Sequence, residues 1–352
     1  MTTSPSNPPH NPEPGGRLRA YWQFLLAVIY FFLATSLAHR AAAGLAGDQW
    51  FPLVEQAFLV FLLLLGYAAL GFWLNRQMHP ISAQGLPRRE GWPGEAALGI
   101  ATGWGLAVIG VLLVAVGGGI AISISTRASA WTWLVIEAVF FALATLAEEI
   151  AFRGYGFQRF AVAVGPLGAS LGYAAFYAIV QSLVPGSSRA SILVSVALGL
   201  LLSAAYVRTR AIWLSWGINF GWKASRALFF GLAISGVNSH SPLVQGNPMG
   251  PFWLTGGGFG LEGSWITFLL LIAALPVVFR ITRDLDYRYN APVIIPGGIP
   301  VDLDAAARVQ HEAATKSAEP APPALIQIGP VATPAPFTPP ERPSSGRPSE
   351  PQ

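Results

Sequence analysis

Apolar residues fall in long unbroken runs separated by short polar stretches, at about 20–38, 51–74, 95–124, 131–153, 168–184, 190–207, 212–235 and 265–279. Each run is near the ~20 residues that a helix needs to cross a hydrocarbon core. None alternates apolar and polar residues as barrel strands do. In lipid every backbone N–H and C=O must be satisfied within the segment, which leaves the helix as the spanning element. The pattern predicts an all-α fold, a polytopic transmembrane helix bundle of about eight spans. Tyr21 and Trp22 mark an interface at the start of the first span. Gly99, Gly103, Gly105 and Gly110 in the third allow a neighbouring helix to approach closely.

Outside the spans the chain is polar. Residues 1–19 read as a disordered N-terminal tail that lacks the apolar core of a cleavable signal. Residues 20–288 form the transmembrane domain. Residues 289–352 are rich in Pro, Ala and Ser and read as a disordered, solvated C-terminal tail, although the Pro-rich stretches 320–324 and 334–343 have polyproline-type sequences.

Composition sharpens this picture. The chain is 53% hydrophobic and only 11% charged, against ~25% charged in soluble domains. It contains no cysteine, which excludes disulfides, thiolate metal sites and a cysteine nucleophile. The pI of about 9.6 comes from arginines at loop ends. It reads as membrane topology, with no nucleic-acid partner. With eight spans and a cytoplasmic N-terminus, Arg17, Arg19, Arg76, Arg88, Arg89, Arg153, Arg159, Arg208, Arg210, Arg280, Arg283 and Arg288 fall inside, and Arg40, Arg127 and Arg189 outside. That bias agrees with the positive-inside rule and places both termini in the cytoplasm.

The stretch 147–160, AEEIAFRGYGFQRF, ends an apolar run with two adjacent carboxylates. A charge at membrane depth costs at least ~2.5–3.5 kcal/mol, so it needs a partner or a role. Glu149 and Arg153 stand at i and i+4 with the acid N-terminal, the favourable order for an ion pair. Glu148 lies about 100° around the helix and faces elsewhere. Glu137, eleven residues earlier, shares the face of Glu148. Tyr177 and Gln181 form a polar stripe in the fifth span, and Asn219, Lys223 and Arg226 form another in the seventh. Lipid penalises all three stripes, so they are expected to point at one another. Interhelical glue of ~0.6 kcal/mol per contact accounts for Gln181 or Asn219 alone, but not for buried charges such as Glu148 and Lys223, which need partners.

Four features taken in order carry a resemblance: E-E-x-x-x-R at 148–153, a helix that ends before Pro185-Gly186, AIWLSWGINFGW at 211–222, and TGGGFGLEGS at 255–264. Together they resemble the CAAX prenyl protease and bacteriocin-processing (CPBP) family of intramembrane metalloproteases. Residues 88–92, RREGW, look like bacterial members, which implies a bacterial-type cytoplasmic membrane. The resemblance implies that Glu148 activates a water and that Glu149 pairs with Arg153. Family members complete the site with two histidines and an asparagine. Here those positions hold Gln181, Asn219 and Lys223, and the only histidines are His10, His39, His79, His240 and His311, outside the spans. Catalytic zinc takes nitrogen, sulfur or carboxylate ligands, so no metal site or other cofactor is expected.

Three readings follow. The first is an intramembrane endopeptidase with Glu148 as general base and Gln181 and Asn219 as oxyanion donors, acting on a membrane-protein or peptide substrate. The second, favoured by the missing ligands, is a degenerate member that binds such a partner without cutting it, with a buried ion pair replacing the metal. The third is a proton-coupled carrier using Glu137 and Glu148, ranked last for want of an inverted repeat. Lys223, ~16 Å into its span, is expected to be held by Glu148 on the family's site geometry, or by Glu137 on depth alone.

Overall fold

A computed structural model describes residues 14–237 and 243–285. The proposed C-terminal tail, with its Pro-rich stretches, and His10, His240 and His311 lie outside the described residues. The helices are α1 (Pro14–Leu45), α2 (Phe51–Asn75), the single turn α3 (Pro80–Ala83), α4 (Trp92–Gly117), α5 (Ala128–Arg153), α6 (Tyr155–Ser182), α7 (Arg189–Thr209), α8 (Ile212–Ala224), the single turn α9 (Phe252–Thr255) and α10 (Trp265–Ile281). Five helical stretches are long and apolar enough to cross a membrane, and one of them, Ala128–Ser182, contains both α5 and α6. Among the described residues α10 is a shorter apolar helix, and the architecture is an all-α polytopic helix bundle. The chain is an integral membrane protein.

Its packing is that of a protein dissolved in lipid. Ala20, Ala27, Ala34, Ala38 and Ala42 form the buried stripe of α1, whereas Trp22, Ile29, Phe32 and Leu33 are exposed. Small residues inside and large apolar ones outside suit a solvent as apolar as the core, because backbones gain by approaching closely. The closest approach is between α4 and α8. A Cβ added at Gly99 would strike the carbonyl of Leu214, and one at Gly103 the carbonyl of Ile218. Reciprocally, Gly217 meets the carbonyl of Ala96 and Gly221 that of Ile100. Gly105 meets nothing, and Gly110 makes only ordinary contact with Leu270 and Trp222. Two glycines of the four, matched by two on α8, lock one side of α8 to α4 and leave its other side for α5.

Two large apolar cores result, beside smaller clusters around Val114 and Leu228. Side chains of α1, α2, α5 and α6 build one, around Leu63, Tyr67, Ile150 and Phe157. Side chains of α4, α7, α8 and α10 build the other, around Leu201, Leu214, Trp222 and Leu271. Hydrogen bonds between chain segments tie the arginine-rich end. Gln158 donates to Ala83 O at 2.6 Å and to the Tyr206 hydroxyl at 2.9 Å, and the Trp213 indole donates to Pro87 O at 2.9 Å. Arg89 pairs with Glu95 and donates to Thr209 O, both at 2.7 Å. These contacts fix where α8 starts and therefore how deep its polar stripe lies.

Several boundaries differ from those read in the sequence. Helix α1 begins at Pro14, so residues 14–19 of the proposed tail are its first turns. The third span stops at Gly117. Gly118 and Gly119 break it, and Ile120–Ile124 leaves the helix as strand β1, paired antiparallel with β2 (Val244–Pro248) from Ile120↔Pro248 to Ile124↔Val244. Three successive glycines carry a large helix penalty, and the IAISI that follows is β-prone. The fifth span starts earlier than expected: α6 follows α5 after Gly154 and bends at Gly165 (φ +84°), just before Pro166, which lacks an N–H for the ladder. The seventh span also ends early, with a π-helical turn at Ser225–Phe229. A π-turn inserts an extra residue and re-aims the side chains after it, here Arg226.

Candidate functional site

Helices α5 and α8 pack together where the two cores meet, and their polar stripes face each other. Glu148 and Glu149 lie a little over one turn before the end of α5, and Asn219 and Lys223 lie one turn apart on α8. The Lys223 Nζ sits 2.6 Å from Glu148 Oε1 and 2.8 Å from Oε2. Of the two carboxylates on that face of α5, Glu148 holds the lysine, because the stem points back toward the helix N-terminus and hence toward the arginine-rich end. Glu137 lies three turns away toward the opposite end and is half-buried.

Asn219 joins the two acids. Its amide nitrogen donates to Glu148 Oε2 at 2.9 Å and to Glu149 Oε1 at 3.2 Å, which fixes the amide's orientation and leaves Oδ1 without a donor. Arg153 donates to Glu149 Oε1 at 2.9 Å within α5 and to Gly199 O of α7 at 3.3 Å. Glu149 is fully buried, whereas the Glu148 side chain is 30% exposed. Glu149–Arg153 is therefore an interior clamp, and Glu148 is the edge of the cluster that meets the surroundings.

Gln181 is not in this cluster. It sits at the far end of α6 and donates to the Ser235 hydroxyl at 3.3 Å. Ser235 in turn donates to Glu262 Oε2 through its backbone N–H at 3.1 Å and its hydroxyl at 2.6 Å. Arg226, fully buried and stacked 4.0 Å from the Trp222 ring, donates to Glu262 Oε1 at 2.7 Å. The three stripes thus meet as two groups: Glu148–Lys223–Asn219–Glu149–Arg153, and Gln181–Ser235–Glu262–Arg226. The sequence reading placed Gln181 beside Glu148. The structure corrects this because Gln181 lies in the last turn of α6, level with the loop that carries Glu262.

Glu262 and Ser235 are the residues that sequence reasoning missed. Glu262 lies in the 3₁₀ turn Leu261–Gly263, within the glycine-rich stretch singled out above, and is the only acid in the described loop 243–264. An isolated acid in an otherwise uncharged loop was the available signal. Burial alone raises its carboxyl, but the positive charges of Arg226 and Lys223 outweigh burial and hold the group below the usual glutamate range. Tyr177, half-buried against both cores with its ring 5.2 Å from that of Phe152, lies within electrostatic reach of Lys223, Glu148 and Glu262 and so sits between the two groups.

Residues 127–225, the four helices α5 to α8, match the family described as type II CAAX prenyl endopeptidase Rce1-like. Over this segment the chain is similar to that family. The match begins just before α5 and ends one residue after α8, so it contains Glu148, Glu149, Arg153, Gln181, Asn219 and Lys223 but stops short of the 255–264 stretch. No curated protein and no solved structure matches the chain.

The metal that an endopeptidase of the resembled type uses does not fit the residues of this Rce1-like segment. Both Glu148 oxygens are held by an ammonium, Glu149 is tied to Arg153, and the remaining polar groups are carboxamides, which are poor zinc ligands. Among the described residues no group of three His, Cys, Asp or Glu side chains converges. A divalent cation here would meet Lys223 at ion-pair distance from its only partly accessible carboxylate, and like charges repel.

Proposed function

We propose that this chain is an Rce1-like membrane protein in which a closed ion-pair cluster replaces the metal-dependent peptidase site, and that it binds a membrane protein or peptide without hydrolysing it. One observation carries the reading: the Lys223 ammonium lies on both oxygens of Glu148. A general base needs a free lone pair aimed at the proton it abstracts. Here Oε1 is engaged by Lys223, and Oε2 by Lys223 and Asn219 together. Oxyanion stabilisation needs donors aimed at the developing charge. The Asn219 donor is engaged by two carboxylates and the Gln181 donor by Ser235.

The competing reading is a metal-free endopeptidase with Glu148 as base and Asn219 and Gln181 as donors. It is favoured by the 30% exposure of Glu148. One experiment separates the two. Purified protein in liposomes is incubated with prenylated and unprenylated membrane-anchored peptides, alongside Glu148→Gln. The binding reading expects peptide capture without new termini in both proteins. Cleavage by the wild type that Glu148→Gln abolishes sinks it. Elemental analysis adds an independent check, since about one tightly held zinc per wild-type chain contradicts the donor chemistry.

The same reading places the arginine-rich end, and both termini, on the cytoplasmic side of a bacterial-type membrane, supported by the arginine distribution. The chain has no cysteine, so single cysteines at Arg88 and Gly47 report sidedness cleanly. An impermeant thiol reagent applied to intact cells is expected to label the Gly47→Cys protein only.

A further inference from the structure

At the arginine-rich end, α1, α2 and the first segment of α6 enclose an open cavity of about 470 Å³. Arg19 enters it from the start of α1, Arg76 from the C-terminal cap of α2, and Arg159 from α6. None of the ten residues lining the cavity is Asp or Glu. Among the described residues none of the three arginines is in an ion pair. Arg19 donates to Leu74 O at 2.6 Å, at the negative end of α2. Arg159 lies 5.7 Å from the centre of the Tyr155 ring, and its Nε is buried without a hydrogen-bond partner. Arg19 and Arg159 are close enough to repel each other.

The other polar groups around the cavity are satisfied among themselves. Asn75 donates to Gln23 at 3.3 Å and accepts from the Tyr155 hydroxyl at 2.7 Å. That chain fixes the relative positions of α1, α2 and α6, and it leaves the guanidiniums as the unsatisfied groups. The bland alternative is three solvated arginines of the kind that line the cytoplasmic side of any membrane protein. Such arginines spread outward, each into its own water. These converge on one concavity, and one of them buries a donor there.

The depth of the cavity is set by aromatic rings. Trp73 on its wall is 77% exposed and Trp22, one turn from Arg19, is 62% exposed. Exposed tryptophans of membrane proteins sit at headgroup level. Guanidinium forks match phosphate oxygens in pairs. We propose that this cavity binds the phosphate-bearing headgroup of an anionic membrane lipid, with Arg19, Arg76 and Arg159 as its ligands. Leu74 and Val162 on the wall are apolar enough to lie against the upper part of an acyl chain.

The test is native mass spectrometry of the full-length protein in detergent, titrated with phosphatidylglycerol, with phosphatidylcholine, and with inorganic phosphate alone. Wild type is expected to retain phosphatidylglycerol in preference to phosphatidylcholine. Arg159→Gln and Arg76→Gln are each expected to weaken retention about fivefold, the effect of one cation at an anionic membrane surface. Arg76 makes no side-chain hydrogen bond among the described residues, so its variant tests the site even if Arg159→Gln folds poorly. Equal retention of the two lipids by wild type overturns the proposal, as does unchanged retention by a folded Arg76→Gln protein. Displacement of the lipid by inorganic phosphate at equal affinity overturns it too, since the site then takes free phosphate and not a headgroup.

Discussion

Between α5 and α8 two carboxylates face two cations, and around Glu262 one carboxylate faces one guanidinium. At the α1–α2–α6 cavity three guanidiniums face no carboxylate. Both regions collect charge, but only the first closes on itself. In the bundle interior a lone charge is too costly to keep, and Glu148, Glu149 and Glu262 each have a cation within hydrogen-bonding distance. At headgroup level water, lipid and interface compete for the cation, and an unbalanced cluster is tolerated. The lesson is that balance marks structure and imbalance marks a surface that recognises something. Mutations should divide the two regions accordingly, with stability lost in one and binding lost in the other.

The largest effect is expected at the interior clamp. Glu149→Gln leaves Arg153 buried without its anion and should cost ~3–5 kcal/mol, read as a loss of stability to denaturant in detergent. The double variant with Arg153→Met should cost less than the sum of the two singles by ~0.5–3 kcal/mol. Additivity in that cycle would mean that the pair is not one unit.

The outer pair is expected to differ in its pH response. The Glu262 carboxyl is held below the ordinary glutamate value by Arg226 and Lys223, against the opposing effect of burial. Its folded pKa thus lies below its unfolded one, and the unfolded chain takes up the proton first as pH falls. The stabilisation is complete above the unfolded value and is lost as pH drops through the folded one. Glu262→Gln should therefore flatten the acid limb of the stability profile. An unchanged acid limb would assign that limb to other carboxylates.

A smaller effect is expected at Lys223. Lys223→Met frees a carboxylate whose side chain is already 30% exposed, so solvent recovers part of the loss, leaving ~1–3 kcal/mol. Combining it with Glu148→Gln removes both charges and should restore most of the difference. A double variant no better than Lys223→Met alone would mean that the lysine stabilises through some other contact. The smallest effect is predicted for Arg76→Gln, within ~0.5 kcal/mol of wild type, in the variant expected to lose lipid. A larger destabilisation would turn the cavity into another structural cluster and erase the contrast.

The sequence by itself determined the helical, membrane-spanning character of the apolar runs, because a bilayer imposes its thickness on every one of them. It determined the partnership of Glu149 with Arg153, because i and i+4 on one helix are neighbours in any fold. It also set the acidic and amide stripes on single helix faces. The tertiary structure alone decided which stripes meet. Glu148 and Lys223 are brought together only because Gly99 and Gly103 admit Gly217 and Gly221, which turns the opposite side of α8 toward α5. Gln181 lies one turn from Tyr177 in sequence, yet its place at the end of α6 gives it Ser235, the partner of Glu262, as its hydrogen-bond partner. The break at Gly117–Gly119 and the bend at Gly165–Pro166 shift element ends by several residues, which apolar content alone does not register. The arginine cavity draws on residues 19, 76 and 159, and no local periodicity links positions so far apart. Helix faces follow from short-range geometry, whereas the pairing of faces follows from how closely two backbones can approach, and that depends on every contact around them at once.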